Sequence, residues 1–369
     1  MNESILAAAR QKAAAGQRLS LAEGLALYEE NDLMSLAKWA RAAKERHSGR
    51  QVFYTVNRHI NLTNICTSGC PLCAFQVPEE DAARRGFLLS PSDLDREIAA
   101  ARNIKGLAEI HIVSALHPSQ PFTYYLDAVK KIRAAFPDVE INAFTPVEIV
   151  HFAKISGQSV QQVLEILQAA GLSSLPGGGA EILVDRVRQI ICPQKADTAQ
   201  WLDTMERAHK LGIATNASMM YGHVETVRER FEHLLKLREL QDKTHGFRAF
   251  MLFPFHPENT QLAKEHSITP AGSWENLKML ALSRLMLDNF DHFKAFWVML
   301  SLPVAQLALG FGADDLDGTI GEEKIIHAAG AKTGAGITRE KLGAIIRETG
   351  YEPVERDASY QPARQGGEG

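Results

Sequence analysis

The segment with the clearest chemistry holds three of the four cysteines in this chain, Cys66, Cys70 and Cys73. Three and then two residues separate these cysteines, a spacing that lets one short loop supply three thiolates to a single iron–sulfur cubane. A 4Fe–4S cluster has four irons, so three cysteines leave one iron free to bind donor atoms of another molecule. The spacing therefore predicts a redox site that passes an electron into a bound cofactor.

Two alternatives to an iron–sulfur site stay open. A structural zinc site needs a fourth ligand, and His59 or His111 would supply it without finger-like spacing. The three cysteines could also simply be buried together. The fourth cysteine, Cys192, is isolated among apolar residues and is predicted to be a small buried hydrophobe. The loop directly follows the first predicted strand, where a barrel enzyme has its active site, and this position favours the iron–sulfur cluster.

The elements that position this loop form an alternating pattern. Short β-rich runs alternate with amphipathic helical stretches from residue 52 onward, which predicts parallel strands joined by helices. The predicted strands are 52–61, 109–113, 140–143, 172–175, 214–221, 247–255, 293–299 and 315–320. Eight strands close a TIM-type (β/α)8 barrel, an α/β fold.

Helical segments flank the predicted barrel. Residues 1–50 are predicted to form an N-terminal helical cap, with Ser20 and Glu23 as a capping box. The barrel is predicted over 51–337. Residues 338–369 are predicted as a short C-terminal helix, 338–349, and a disordered tail from Ser359.

Composition excludes several classes of function. The chain has 369 residues, 45% of them apolar and 23% charged, with a net charge of −4. This near-neutral charge argues against binding nucleic acid through phosphate neutralisation. No apolar run is as long as a membrane span, and the N-terminus lacks the apolar core of a secretory signal. We therefore expect a cytoplasmic protein with no membrane partner.

The cysteine motif resembles the signature of the radical S-adenosylmethionine (SAM) superfamily. That resemblance implies a 4Fe–4S cluster whose free iron chelates SAM, and reductive cleavage of SAM to a 5′-deoxyadenosyl radical. The sequence departs from the superfamily pattern at two places. Leu72 stands where an aromatic residue usually precedes the third cysteine, and Ser114-Ala115 replaces a Gly-Gly-Glu-like stretch that receives the methionyl amine.

Longer stretches resemble one branch of the superfamily, which contains the two radical enzymes of the futalosine route to menaquinone and the deazaflavin (FO) synthase component. The matching stretches are 57–61, 109–118, 176–182, 219–225, 238–242, 255–260, 283–289, 314–320 and 322–331. Within the branch, 57–61, 256–260 and 322–331 resemble the aminofutalosine (aminodeoxyfutalosine) synthases. The sister cyclase usually has glutamine at the position of His256, so the cyclase and the FO synthase component remain the alternatives.

Resemblance to the synthases implies a particular reaction. The deoxyadenosyl radical adds to the double bond of 3-[(1-carboxyvinyl)oxy]benzoate, the aryl group migrates and a carboxylate leaves. The products are 6-amino-6-deoxyfutalosine and methionine, so SAM is consumed as a co-substrate. The partners implied are this aryl enol-ether carboxylate and an electron donor such as flavodoxin or ferredoxin.

Polar residues at successive strand ends are the remaining site candidates. The predicted catalytic residues are Arg58, His59 and His256. The predicted cofactor-binding residues are Ser114, Glu181, Arg188, Asn216 and Ser218. The predicted substrate-binding residues are His117, His223, Glu258, Asn259 and Asp315. Structural roles remain open for them: hydrogen-bonded barrel histidines, a Glu181 pair with Arg186 or Arg188, core packing of Asn216 and Ser218, and capping by the acids at 314–317.

Overall fold

Ten β-strands form one sheet in the computed structural model, which describes residues 3–320, 323–334 and 336–363. The strands are β1 (Gln51–Thr55), β2 (Asn57–Ile60), β3 (Glu109–Ile112), β4 (Glu140–Ala143), β5 (Ser174–Leu175), β6 (Ala214–Tyr221), β7 (Phe247–Pro254), β8 (His292–Lys294), β9 (Asp315–Gly318) and β10 (Glu352–Glu355). They pair in the order β10-β1-β9-β8-β7-β6-β5-β4-β3-β2. Every pairing is parallel.

The sheet curls into a barrel because one bent segment pairs with both sides of the set of strands from β3 to β9. β1 pairs with β9 and β10, whereas β2, which follows after Val56 alone, pairs with β3. With β1 and β2 counted as one bent strand, β3 to β9 complete eight positions, and β10 lies outside β1. The TIM-type prediction is confirmed, and the predicted strand 52–61 is the bent segment.

Helices cover the outside of this barrel. They are α1 (Glu3–Ala15), α2 (Leu21–Tyr28), α3 (Leu33–Ser48), α4 (Ala82–Arg85), α5 (Pro91–Arg102), α6 (Phe122–Ala135), α7 (Pro146–Ser156), α8 (Val160–Ala169), α9 (Asp185–Ile191), α10 (Thr198–Lys210), α11 (Val227–Thr244), α12 (Gln261–Glu265), α13 (Ser273–Met286), α14 (Trp297–Leu300), α15 (Leu302–Ala308), α16 (Ile325–Ala328) and α17 (Arg339–Glu348). No helix in the described ranges is long and apolar enough to cross a membrane.

The N-terminal helices pack on the outer side of the barrel. The Ser20–Glu23 capping box begins α2 as predicted, with Glu23 Oε2 accepting from Ser20 N at 2.7 Å. α2 packs against α11 and α13, and α3 packs against α13. Leu27 and Leu36 are fully buried in these contacts. The proposed domain boundaries at residues 50 and 337 stay predictions.

The prediction of a strand at 293–299 is wrong for the second half of this segment. β8 ends at Lys294, and residues 297–300 form α14 instead. A short apolar run does not distinguish a buried strand from a buried helix by its periodicity. Trp297 Nε1 donates to the Gly318 carbonyl at 3.0 Å, which fixes the start of α14 over β9.

The C-terminal segment continues the sheet. Helix α17 confirms the predicted helix, and β10 then pairs with β1. The predicted disorder from Ser359 is wrong for residues 359–363, because Tyr360 stacks on His292 with ring centroids 3.5 Å apart. Arg356 adds a second anchor, with Nε and Nη2 both 2.7 Å from Asp315. The prediction for residues 364–369 lies outside the described residues.

Candidate active site

The inner face of the barrel is polar because strand residues alternate between two environments. On β2 and β3, Ile60, Ile110 and Ile112 are buried in the core between sheet and helices. His59 and His111 point into the barrel, where their rings stack with centroids 4.6 Å apart. The side-chain period of two therefore delivers ionisable groups to the barrel interior.

A cavity of about 260 Å³ lies inside the barrel, toward the carboxyl-terminal ends of its strands. Loop residues line its mouth, including the three cysteines, the glycines 177–179, Glu181 and Lys195. Strand residues line its deep end, namely His59, His111, Asn142, Asn216, Lys294 and Asp317. Active sites of TIM barrels lie at this face, so the cavity is the candidate active site.

One tightly bonded loop presents the cysteines to the cavity. Cys66, Cys70 and Cys73 follow β2, have free thiols and all line the mouth. Cys66 N donates to Val77 O at 2.9 Å, and Cys73 N donates to Cys70 O at 3.0 Å. Gln76 Nε2 donates to the Cys70 carbonyl at 2.9 Å. These bonds hold three thiols around one space.

The donor set fits an iron–sulfur cubane. In the described ranges, no group of three or more His, Cys, Asp or Glu side chains is arranged to hold a single metal ion. Thiols on three different irons of a cubane lie farther apart than ligands of one ion. Burial raises the pKa of Cys70 to about 12 and also raises the pKa of Cys73. These thiols are therefore protonated at neutral pH, and binding of iron would have to displace their protons.

Lys195 brings a positive charge to the cysteine loop. Its Nζ donates to Glu181 Oε1 at 2.7 Å, and both residues line the cavity. Burial opposes the charge of Lys195, but Glu181 and the nearby thiols raise its pKa well above the usual value. Despite burial, the Lys195 charge lowers the pKa of Glu181. The pair is therefore charged at neutral pH, and the Lys195 charge would offset negative charge on the thiolates once iron has displaced their protons.

The glycine turn after β5 carries Glu181 to the mouth. A Cβ at Gly177 would lie 2.7 Å from the backbone of Ala217, so only glycine fits between the turn and β6. Ser218 Oγ donates to the Gly177 carbonyl at 2.7 Å, and Arg188 donates to other carbonyls of the turn. Arg188 and Ser218 do not line the cavity. These two residues support the turn from behind, and their contact with the cofactor stays a prediction.

The deep end combines an ion pair with unpartnered polar atoms. Lys294 Nζ donates to Asp317 Oδ1 at 2.8 Å, and these residues are 4% and 7% exposed. Burial and the adjacent His111 lower the pKa of His59 to about 3, so the His59 ring is neutral. Within the described residues, His59 Nε2 and Asn142 Oδ1 are buried without a hydrogen-bond partner. Such atoms are rare in proteins and indicate a bound ligand or water.

Two of the three predicted catalytic residues lie elsewhere. Arg58 is on the outer face of β2, where Nη2 donates to Glu97 of α5 at 2.6 Å. His256 Nε2 lies 3.1 Å from the Met299 carbonyl and does not line the cavity. Arg58 therefore does not point into the barrel, and the catalytic roles of Arg58 and His256 stay predictions. His59 does line the cavity.

The predicted substrate-binding residues are all outside the cavity lining: His117, His223, Glu258, Asn259 and Asp315. His117 Nδ1 accepts from Ser119 N at 3.2 Å, and His223 Nδ1 lies 2.9 Å from Glu225. Glu258 and Asn259 are exposed on the loop after β7. Asp315 binds Arg356 of the C-terminal segment. The substrate contacts of these five residues stay predictions.

The remaining predicted cofactor residues are at the cavity. Ser114, Glu181 and Asn216 line it. Ser114 N donates at 2.9 Å to Glu148, a cavity residue whose pKa burial raises to about 7. Sequence reasoning missed the cavity residues Glu148, Asn142, Lys195 and Lys294, and it left Asp317 open between a substrate-orienting role and capping. The alternation of side chains along the predicted strands could have indicated that Lys294 and Asp317 face the cavity. No local sequence pattern indicates this for Lys195 and Glu148.

A parallel TIM-type barrel with a three-cysteine loop after its first strand and a cavity beside that loop defines a radical SAM enzyme. Residues 60–237 match the Radical SAM superfamily, and residues 244–367 match the CofH/MqnC C-terminal region. The chain is 42% identical to the aminodeoxyfutalosine synthase of Thermus thermophilus, over 96% of this chain and 95% of the relative. It belongs to the radical SAM family that includes these synthases.

Other relatives place the chain in the same group. The aminodeoxyfutalosine synthase of Streptomyces coelicolor is 40% identical over 96% of this chain and 93% of its own. The 5-amino-6-(D-ribitylamino)uracil–L-tyrosine 4-hydroxyphenyl transferase of Methanococcoides burtonii is 40% identical over 91% of this chain and 93% of its own. The hydrogenase maturase HydG of Carboxydothermus hydrogenoformans shares the fold, with a TM-score of 0.74 at 17% identity over 97% of this chain and 81% of its own.

Proposed function

We propose that this enzyme joins the adenosyl group of SAM to 3-[(1-carboxyvinyl)oxy]benzoate and so makes 6-amino-6-deoxyfutalosine and methionine for menaquinone biosynthesis. The observation that carries the proposal is the convergence of three free thiols and the Glu181–Lys195 pair on one cavity. Near-full-length identity to two aminodeoxyfutalosine synthases supports the choice of substrate.

The mouth of the cavity provides the residues for cluster and SAM. Cys66, Cys70 and Cys73 would hold the 4Fe–4S cluster, which together with SAM supplies a 5′-deoxyadenosyl radical when bound. Glu181 offers a carboxylate for hydrogen bonds from the methionyl ammonium or the ribose hydroxyls of SAM. Ser114 and Asn216 also line the cavity within the proposed cofactor site.

The cavity also has apolar walls. Leu116, Val147, Met251, Phe253 and Phe296 line it. These side chains would pack against the aryl ring of the substrate and hold its double bond in one orientation.

The reaction needs an electron from outside the chain. A low-potential one-electron donor such as flavodoxin or ferredoxin would supply it. We place the enzyme in the cytoplasm, since reducing conditions keep the cysteine thiols free for iron.

The proposal is tested with the iron–sulfur-reconstituted, reduced enzyme under anaerobic conditions. SAM is supplied with 3-[(1-carboxyvinyl)oxy]benzoate, and products are identified by mass spectrometry. The expected result is a product that contains both the adenosine and the aryl group, together with methionine. Release of 5′-deoxyadenosine without such a product would reject the synthase reaction and favour the hydrogen-abstracting cyclase of the same branch.

A second candidate follows from the similar identity to the methanogen transferases, 40% against 42% for the first synthase. In that case the substrates are 5-amino-6-(D-ribitylamino)uracil and L-tyrosine. The same reconstituted enzyme is offered this pair in a parallel reaction. A coupled product from the pair, with none from the aryl enol ether, would establish the second candidate.

A further inference from the structure

The deep end of the cavity contains a cation with hydrogen-bond donors to spare. Lys294 ends β8, lines the cavity and is 4% exposed. A lysine ammonium carries three N–H donors. Asp317 accepts one of them at 2.8 Å, and the described residues offer Nζ no second hydrogen-bond acceptor. Two donors of a buried charge are therefore available to a ligand.

Neighbouring acids do not compete for these donors. Asp315 is bound by Arg356, with both nitrogens at 2.7 Å. Glu109 lies 3.7 Å from His111 Nδ1 and accepts from Asn142 Nδ2 at 3.3 Å. Because each acid has its own donor, Lys294 is not surrounded by unpaired carboxylates.

The surroundings of Lys294 suit a flat ligand with a polar end. Met251, Phe253 and Phe296 form apolar walls of the same cavity. His59 and Asn142 contribute the buried polar atoms without partners. An aromatic ring would pack on the apolar walls, and a charged substituent on that ring would reach the ammonium.

We propose that the deep end is a carboxylate-binding subsite, in which Lys294 donates hydrogen bonds to the ring carboxylate of an aryl substrate and Asp317 positions Lys294. The identity of the ring rests on the proposed function. The reacting double bond must lie at the mouth, beside the cysteine loop, so the ring carboxylate on the other side of the substrate points to the deep end. Lys294 would then determine specificity for benzoate-type substrates.

The test measures binding without turnover. The cluster-loaded, unreduced full chain is saturated with SAM and titrated with 3-methoxybenzoate or its neutral isostere 3-methoxybenzamide, using isothermal titration calorimetry. Wild type is expected to bind the benzoate at least about tenfold more tightly, the size of a charge-assisted hydrogen bond. In Lys294→Met this preference is lost.

Two further variants separate this effect from misfolding. Lys294→Met/Asp317→Asn removes both charges, leaves no unpaired carboxylate and is expected to lose the same preference. Arg248→Met breaks another ion pair inside the barrel, with Glu140 at 2.7 Å, but Arg248 does not line the cavity. It should keep the preference.

The outcomes distinguish the subsite from the proposed function. Equal binding of the two probes by wild type, or a preference that survives in both Lys294 variants, overturns the subsite even if the adenosyl–aryl product forms. A preference that depends on Lys294 in a protein that makes no such product supports the subsite and rejects the synthase reaction.

Discussion

Two buried cysteines of this chain have different surroundings and therefore different roles. Cys70 and Cys192 are each 1% exposed, and burial raises the thiol pKa of both. Cys70 lines the cavity with two other cysteines, whereas Cys192 does not line it. Position in the fold, rather than exposure, decides which thiol can bind iron.

Replacing each of these two cysteines tests this difference. Cys70→Ala should lose most of the about four irons expected per chain after reconstitution, because the remaining two thiols do not hold a cubane. Cys192→Ala should retain the iron and the visible absorption of the cluster. Iron and sulfide analysis of both reconstituted proteins measures the effect. Equal iron in the two variants would contradict the assignment of Cys70 as a ligand.

Residue types were easier to predict than the directions of their side chains. The cysteine spacing alone predicts that the three thiols lie close together, because they belong to one short loop. Arg58 and His59 are adjacent on one strand, and only the register of β2 shows that His59 is inside. Lys195 reaches Glu181 from a loop fourteen positions away in the chain, and no local pattern predicts such a pair.

Helix α11 shows how one side chain can both cap an element and fix it to a neighbour. Glu229 accepts from Thr226 N at 2.7 Å in a capping box and pairs with Arg186 Nε at 2.7 Å. The bond from Arg186 is the main reason that the pKa of Glu229 falls to about 2. Its carboxylate therefore stabilises the fold at pH values above the unfolded-state pKa of about 4.3, and the contribution is lost as pH falls toward 2.

Glu229→Gln should lower the free energy of unfolding by about 1 kcal/mol at pH 7. The difference from wild type should be smaller at pH 3, where much of the carboxylate contribution is already gone. Urea unfolding at the two pH values measures both. Glu239→Gln, an exposed change on the same helix, should shift stability by less than about 0.5 kcal/mol. A deficit as large at pH 3 as at pH 7 would exclude the carboxylate as its source.

Secondary-structure elements that are signalled by adjacent residues were predicted correctly. The Ser20 capping box and the helix at 339–348 follow from adjacent residues. β5 lies within the predicted strand 172–175, whereas β10 was not predicted. β10 has four residues and pairs with β1, which is distant in the chain, so its own sequence does not identify it.

The C-terminal segment ties distant parts of the molecule together, because Arg356 and Tyr360 contact the first residues of β9 and β8. Arg356 on this segment is 1% exposed and binds Asp315 of β9, so a pairing between distant parts of the chain joins β10 to the barrel.

Arg356→Met should lower the free energy of unfolding by about 3 kcal/mol or more, because it leaves Asp315 buried without its cation. Chemical denaturation measures the loss.

Adding Asp315→Asn to Arg356→Met should recover part of this stability, since the unpaired charge is removed. Arg339→Met is the comparison, because Arg339 pairs with Glu355 at 3.5 Å near the surface. This variant should lose less free energy of unfolding than Arg356→Met. Additive losses from the two changes at the Arg356–Asp315 pair would show that the pair is not coupled.

The proposed reaction joins the adenosyl group of SAM to an aryl enol ether through a new carbon–carbon bond. SAM labelled with ¹³C at the 5′ carbon and substrate labelled with ¹³C at the vinyl methylene carbon test it directly. We expect a one-bond ¹³C–¹³C coupling in the NMR spectrum of the product of the reconstituted, reduced enzyme. Labelled 5′-deoxyadenosine beside an unchanged aryl substrate, with no coupled carbons, would contradict it.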